Sequence, residues 1–262
     1  MKINHYLYNA FTIENGKTKI AIDPGSYMKL FNMHSLIPKS EWGSFSHVLI
    51  THADPDHYTN VDKIAMASDA PVICGKELLK TENGNQFIIH PRRGGINKWI
   101  PFNNAIPLNV GNEVKIGGVT IEGIKTQHGP IILPLFGMKK RKVPGPKERV
   151  GLGAIGFKIK IQDKILINLG DTLFQNEWKG LKPDVLMLPI GGLGNNTWTL
   201  DVTDAIKTVQ LMSPKIVIPC HYNVPFLIKK NAAPANESLF KSEVEKLGIC
   251  CEIMKNKSSI TI

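Results

Sequence analysis

Along the chain, apolar residues come in short runs that stop at turn formers or at single polar residues, which is the pattern of strands rather than long helices. Ala10 to Glu14 and Lys19 to Ile22 flank Asn15-Gly16, a strong hairpin signal, and the second run leads into Asp23-Pro24-Gly25. Val48-Leu49-Ile50 reads as a short buried strand ending at Thr51, and the polar cluster His52 to His57 follows at once. Thr59 and Asp62 have the spacing of a capping box for a helix through Ile64 to Ala67. Short strands are predicted at Pro71 to Cys74 and Phe87 to Ile89. A second hairpin, Glu113 to Ile124, turns at Gly117-Gly118 and delivers the chain to Thr126-Gln127-His128.

Met138 to Gly153 is rich in Lys, Pro and Gly, lacks periodicity, and reads as a loop. Strands resume at Ala154 to Ile161 and Ile165 to Leu169, joined by Gln162-Asp163-Lys164, and the second ends at Gly170-Asp171. Val185 to Ile190 closes on Gly191-Gly192, and a helix is expected from near Asp201 with Ala205, Ile206, Val209 and Met212 on one face. The next strand, Lys215 to Pro219, ends at Cys220-His221. With no internal repeat, low-complexity linker or composition break, residues 1–262 read as a single domain. Hairpins with interspersed helices argue for an α/β chain in which packed sheets are covered by helices.

Composition narrows the class. At 42% hydrophobic and 21% charged residues the chain sits near globular averages, which excludes disorder, collagen and coiled coil. No apolar stretch approaches the roughly 20 residues of a bilayer span, and no small-residue cleavage site follows the short apolar segment near the amino terminus. A cytoplasmic location and no membrane partner are therefore expected. Cys74, Cys220, Cys250 and Cys251 form no C-x-x-C pair and are read as reduced, inert thiols. The net charge of +10 favours acidic partners but says nothing about fold.

Chemistry enters where the strands end. His52, Asp54, Asp56 and His57, then His128, Asp171 and His221, are each the first polar residue, or nearly so, after an apolar run. A strand end fixes a position while the following loop frees the side chain. Imidazole nitrogen and carboxylate oxygen are the usual ligands of Zn, Mn and Fe ions. Four such donors within six residues are too many for a core segment without a cation to satisfy them. For His5, His34, His47 and His90 the ordinary structural role is the better reading.

The segments THADPDHY, TQHG, INLGDT and IPCHY, in that order and each at a strand end, resemble the metallo-β-lactamase fold superfamily of hydrolases. The stretch from LPIGG to IPCHYN is also similar to the branch containing L-ascorbate-6-phosphate lactonase and its uncharacterised relatives. The resemblance implies a four-layer αββα sandwich and a binuclear centre. His52, Asp54 and His128 would hold one divalent ion, Asp56, His57 and His221 the other, and Asp171 would bridge them. It also implies a metal-bridging hydroxide as nucleophile, with Asp56 and Asp171 as the catalytic carboxylates and Asp56 exchanging a proton. Asp23, in IDPG, would support the site from behind. One position departs from the family's H-x-H-x-D-H pattern: Asp54 stands where its second His would be. A hard oxygen donor there shifts preference from Zn toward Mn or Fe.

The substrate is expected to be a small anionic ester, lactone or phosphoester. The alternative is a metal-dependent nuclease or other nucleic-acid processing enzyme, and a non-catalytic metal-binding or partner-binding protein is a third reading. The nuclease is disfavoured because no inserted domain separates Asp171 from His221 and no aromatic residues interleave the basic segment. Tyr222, Asn223, Asn196 and Lys140 are the substrate-contact candidates, Asn9 could also face the site, and a homo-oligomer is compatible with the sequence. Residues 138–149 carry six basic groups against Glu148, half of the net +10. The charge thus becomes a local feature of one segment between two ligands. Neutralising the four residues Lys139 to Lys142 is expected to raise KM for an anionic substrate and leave metal content alone. An unchanged KM in steady-state kinetics would return this charge to a solubility role.

Overall fold

Alternation along the paired strands Phe11–Asn15 and Thr18–Ile22 decides the layering. Phe11, Ile13, Ile20 and Ile22 enter one apolar cluster, whereas Ala21 enters another on the opposite face. The computed structural model describes residues 1–30, 32–90, 98–135, 138–144 and 150–262. These strands belong to a sheet in the spatial order Ala105–Leu108, Val72–Gly75, His47–Ile50, Thr18–Ile22, Phe11–Asn15, Lys2–His5, Ser258–Thr261. A second sheet runs Glu113–Ile116, Val119–Ile124, Gly156–Ile161, Lys164–Asn168, Val185–Pro189, Ile216–Cys220, Cys250–Cys251.

The two sheets bury one face each against the other. Ile3, Phe11, Ile13, Ile20, Ile22 and Leu49 meet Ile121, Phe157, Ile159, Leu166, Met187 and Ile218 across this interior. On the far face of the first sheet, Val48, Ile50 and Val72 pack against helix α1 (Pro55–Tyr58) and helix α2 (Val61–Ser68) through Tyr58, Val61, Ile64 and Ala65. On the far face of the second, Ile167, Leu186, Leu188 and Val217 lie under α3 (Val202–Met212) and α4 (Glu237–Lys246) through Ala205, Val209, Met212, Phe240 and Val244. The result is an α/β sandwich of four layers, αββα, with both sheets covered.

Parallel pairing sets where a site can form. Thr18–Ile22, His47–Ile50 and Val72–Gly75 run parallel to one another, as do Lys164–Asn168, Val185–Pro189 and Ile216–Cys220. Within each set the carboxyl ends therefore open onto a common edge, where sheet proteins of this kind place ligands. The two edges meet through backbone, since the Ile155 amide donates to the Thr51 carbonyl at 2.9 Å. No helix among the described residues is long and apolar enough to cross a membrane.

Three expectations need correction. Met138–Lys142 is a strand, paired antiparallel with Ile131–Leu135 in the register Ile131 to Lys142, so a loop reading of that stretch fails. A run of basic residues has no apolar alternation to betray a strand whose pairing is carried by backbone. Lys140 stands opposite Leu133 in this hairpin; the side chains of Lys139, Lys140 and Arg141, and residues 145–149, lie outside the described residues. Thr59 does not cap α2. Its hydroxyl donates to the Pro55 carbonyl at 2.5 Å, which ties it to the preceding turn, and Asn60 takes the cap position, its side chain donating to the Gly25 carbonyl at 3.0 Å rather than bonding the helix. The first hairpin turns at Gly16-Lys17, one residue later than Asn15-Gly16, with Asn15 paired to Thr18. By contrast α3 starts where its sequence places it, with Asp201 Oδ1 accepting from the Asp204 amide at 2.9 Å.

Phe157 is fully buried between the sheets. Phe157→Ala should lower unfolding stability by about 3–5 kcal/mol, seen as a lower urea midpoint with an unchanged slope.

Candidate metal centre

A buried carboxylate at a left-handed kink begins the site. Asp23 has no solvent exposure and a φ of 47°, which bends the chain as it leaves the Thr18–Ile22 strand. Its Oδ1 accepts from the Thr51 amide at 2.8 Å, and its Oδ2 accepts from the Thr51 hydroxyl at 2.6 Å, Asn9 Nδ2 at 2.6 Å and His57 Nδ1 at 2.7 Å. Asn9 in turn exchanges hydrogen bonds with Asn168, which ends a strand of the other sheet, and accepts from the Cys220 thiol at 3.3 Å.

This network decides which ring nitrogens face inward. A carboxylate can only accept, so His57 donates through Nδ1 and turns Nε2 to the centre. The Thr51 hydroxyl is spent on Asp23, so its oxygen accepts from His52 Nδ1 at 3.1 Å. His128 Nδ1 donates to the Gly129 carbonyl at 2.5 Å. Three imidazoles are thus held with their Nε2 lone pairs inward. His221, at φ 55°, brings its Nε2 to 3.3 Å from that of His57.

Carboxylates fill the spaces between these rings. Asp54 Oδ2 lies 3.5 Å from His52 Nε2 and 3.4 Å from His128 Nε2. Asp56 Oδ2 lies 3.1 Å from His221 Nε2 and 3.5 Å from His57 Nε2. Asp171 Oδ2 stands between the two groups, 3.4 Å from His221 Nε2 and 3.7 Å from both His57 and His128. Three overlapping sets have the reach of a cation site: His52, Asp54 and His128; Asp56, His57 and His221; and His52, His57 and Asp171. His52 Nε2 and Asp171 Oδ1 are buried without a hydrogen-bond partner. Orphaned donor atoms of ligand type, aimed at one another, fit a divalent cation.

Electrostatics agree. Burial alone would raise the Asp56 carboxyl, but the His57 and His221 imidazoles outweigh it and hold Asp56 well below the usual carboxylate range. Asp54 is likewise held low against its burial by His52 and His128. Burial opposes charge on His57, yet Asp56 and Asp23 lift it well above an ordinary imidazole. His221 is raised in the same sense by Asp171 and Asp56 against its burial. For His128 burial prevails and its imidazole drops below the ordinary value.

Glycine makes the approach close enough. Gly151, at φ +59°, donates its amide to Asp54 Oδ1 at 3.0 Å, and a Cβ there would sit 2.4 Å from His128 Cβ. One residue thereby positions two of the donors, and only glycine fits. Beside His128 opens a cavity of about 660 Å3, walled by Gln127, Pro130, Leu152, Leu173 and Asn196, with Val143 and Pro144 of the segment following the basic strand.

All seven proposed ligands therefore converge, with Asp23 behind His57, and Asn196 lines the adjoining cavity. The Tyr222 hydroxyl donates to Glu237 at 2.7 Å, and the Asn223 amide is exchanged with the backbone of Ala235. His221 and Asn223 both stand in the left-handed region, so the chain bends sharply on either side of Tyr222. Asn9 points to Asp23 rather than into the cavity. Thr51, Asn168 and Gly151 went unrecognised. For Asn168 a signal existed, a lone amide closing an otherwise apolar strand. Among the set-aside histidines, His5 bonds the Met254 and Tyr8 carbonyls, His47 the Ile116 carbonyl, and His34 stacks on Tyr27.

Residues 2–221 match the family described as beta-lactamase superfamily domain. A metal-dependent hydrolase of Nanoarchaeum equitans is 29% identical over 266 residues, with 100% of both chains covered. Another, from Alkaliphilus metalliredigens, is 28% identical over 252 residues, covering 95% of this chain and 97% of its own. Among solved structures, the metallo hydrolase Igni18 of Ignicoccus hospitalis has a TM-score of 0.70 at 22% identity, covering 100% of this chain and 97% of its own. The isothiocyanate hydrolase from Delia radicum gut bacteria reaches 0.65 at 14% identity, with 100% and 99% covered. Both share this fold.

Asp23→Asn replaces one acceptor oxygen with a donor and frees the His57 ring. Metal affinity should fall by about 10–100-fold, measured by competition with a chromogenic chelator.

Proposed function

The chain belongs to the beta-lactamase superfamily domain family, and from that membership we propose that it is a metal-dependent hydrolase with a binuclear centre, acting on a small anionic ester, lactone or phosphoester. The observation that carries this reading is the convergence of inward-facing Nε2 atoms and carboxylates into overlapping donor sets around Asp171. His52, Asp54 and His128 would hold one ion and Asp56, His57 and His221 the other, with Asp171 shared. The oxygen donor Asp54, where the family's pattern carries His, favours Mn or Fe over Zn. When bound, such ions bring the pKa of water toward neutrality and polarise a carbonyl or phosphoryl oxygen.

The chain's own groups supply the rest. Asp23 fixes the tautomer and angle of His57, and Gly129 does the same for His128. Asp56, ionised at neutral pH and within 3.1 Å of His221, is the group assigned to take up and return a proton at Oδ2. The cavity beside His128 has the scale of a small-molecule site and offers the Gln127 and Asn196 side chains for orientation. Val143 and Pro144 in its wall put the end of the basic strand at the same opening, which supports an anionic substrate.

Protein loaded with Mn, Fe or Zn ions is to be tested on lactones, phosphodiesters and single-stranded RNA. We expect two metals per chain and hydrolysis of small esters, with kcat/KM reduced by about a thousandfold or more in Asp171→Ala and His221→Ala. Stoichiometry well below one metal per chain, activity surviving both substitutions, or cleavage of RNA alone would overturn the reading.

A further inference from the structure

Two hairpins outside the main sheets share one tip. Ser26–Lys29 pairs with Asn32–Ser35, and Val224–Phe226 pairs with Lys229–Ala232. The hairpins are joined through backbone: Leu227 donates to the Met28 carbonyl at 2.8 Å, and Leu30 donates to the Leu227 carbonyl at 3.2 Å. Both turns are built from the wrong residues for turns. Leu30 and Leu227 stand in the left-handed region, at φ 48° and 54°, where Gly or Asn would be unstrained. Around them Leu30, Phe226 and Ile228 are 63%, 45% and 78% exposed.

Folding gains little from Leu30, a strained apolar residue largely in water, which costs backbone energy and buries little surface; Leu227 carries the same strain half-buried beside it. Lysines frame the tip: Lys29, Lys229 and Lys230 are all exposed, and residues 26–35 and 224–232 contain no Asp or Glu. None of the three lysines forms an ion pair among the described residues.

We propose that this double tip is a docking surface for an anionic lipid membrane, with Leu30, Phe226 and Ile228 entering the interface and Lys29, Lys229 and Lys230 meeting the headgroups. Charge selects the occupant. A second copy of the chain would bring three lysines against three more on molecules each carrying +10. Lysines on the Lys229–Ala232 strand also discourage edge pairing with another sheet. A polyanion such as RNA would satisfy the lysines and leave the apolar side chains in water. The absence of a spanning helix does not bear on this, because surface docking needs only a small apolar tip and nearby cations.

The test uses the full chain with vesicles of phosphatidylcholine alone and of phosphatidylcholine mixed equally with phosphatidylglycerol. Cosedimentation with the anionic vesicles only is expected. The triple substitution Leu30→Ser, Phe226→Ser, Ile228→Ser should weaken it by at least about tenfold with an unchanged melting temperature. Lys29→Glu with Lys229→Glu and Lys230→Glu should abolish it. Failure to bind anionic vesicles at low salt would overturn the proposal. So would binding that survives the serine substitutions, which is adsorption of a cationic protein, or light scattering that shows a dimer dissolved by them.

Discussion

Everything at the site rests on one carboxylate without access to water. Asp23 accepts hydrogen bonds from Thr51, next after a strand of its own sheet, and from His57 of α1, and through Asn9 it is tied to Asn168 and Cys220 of the other sheet. A buried charge of this kind is tolerable only when fully bonded. Here the bonding is what joins the two sheets at the edge where their parallel strands end. The same atoms that satisfy Asp23 therefore fix the spacing between ligands delivered by the first sheet, His52 to His57, and those delivered by the second, Asp171 and His221.

The second constraint is crowding. Asp54, Asp56 and Asp171 stand among four imidazoles, of which His52, His57 and His128 have their Nδ1 already hydrogen-bonded, while His221 Nδ1 is buried without a partner. Buried ligand-type atoms left without partners and within reach of one another would be satisfied by a divalent cation, which couples metal binding to the ordering of the site. Gly151 shows how finely this crowding is set, because both Asp54 and His128 lean on a residue without a side chain.

Much of this was legible in the sequence because strand ends announce themselves. An apolar run that stops at His or Asp gives both the position and the chemistry, and seven residues read that way meet in space. The long-range partners were less visible. Asn9 and Asn168 lie far apart in sequence, and only the packing of two sheets shows that each completes the other's amide. The Met138–Lys142 strand was hidden since a run of basic residues shows none of the apolar alternation that marks a strand, although its backbone pairs with Ile131–Leu135. The partners of Tyr222 and Asn223 were not visible either, since Glu237 and Ala235 lie further along the chain. The apolar turns at Leu30 and Leu227 were passed over for a similar reason: a hairpin with leucine at its bend looks, as letters, like an uninterrupted strand.

The first sheet carries a further consequence in its outermost pairing. Lys2–His5 takes Ser258–Thr261 as its neighbour, with the Met1 amine donating to the Ile262 carbonyl at 3.0 Å. These partners lie on either side of all seven donors, from His52 to His221, so the pairing closes one long loop of chain around the site. Closure entropy grows only slowly with loop length, so a contact of such high sequence separation weighs on the rate of folding more than on the stability of the finished sheet.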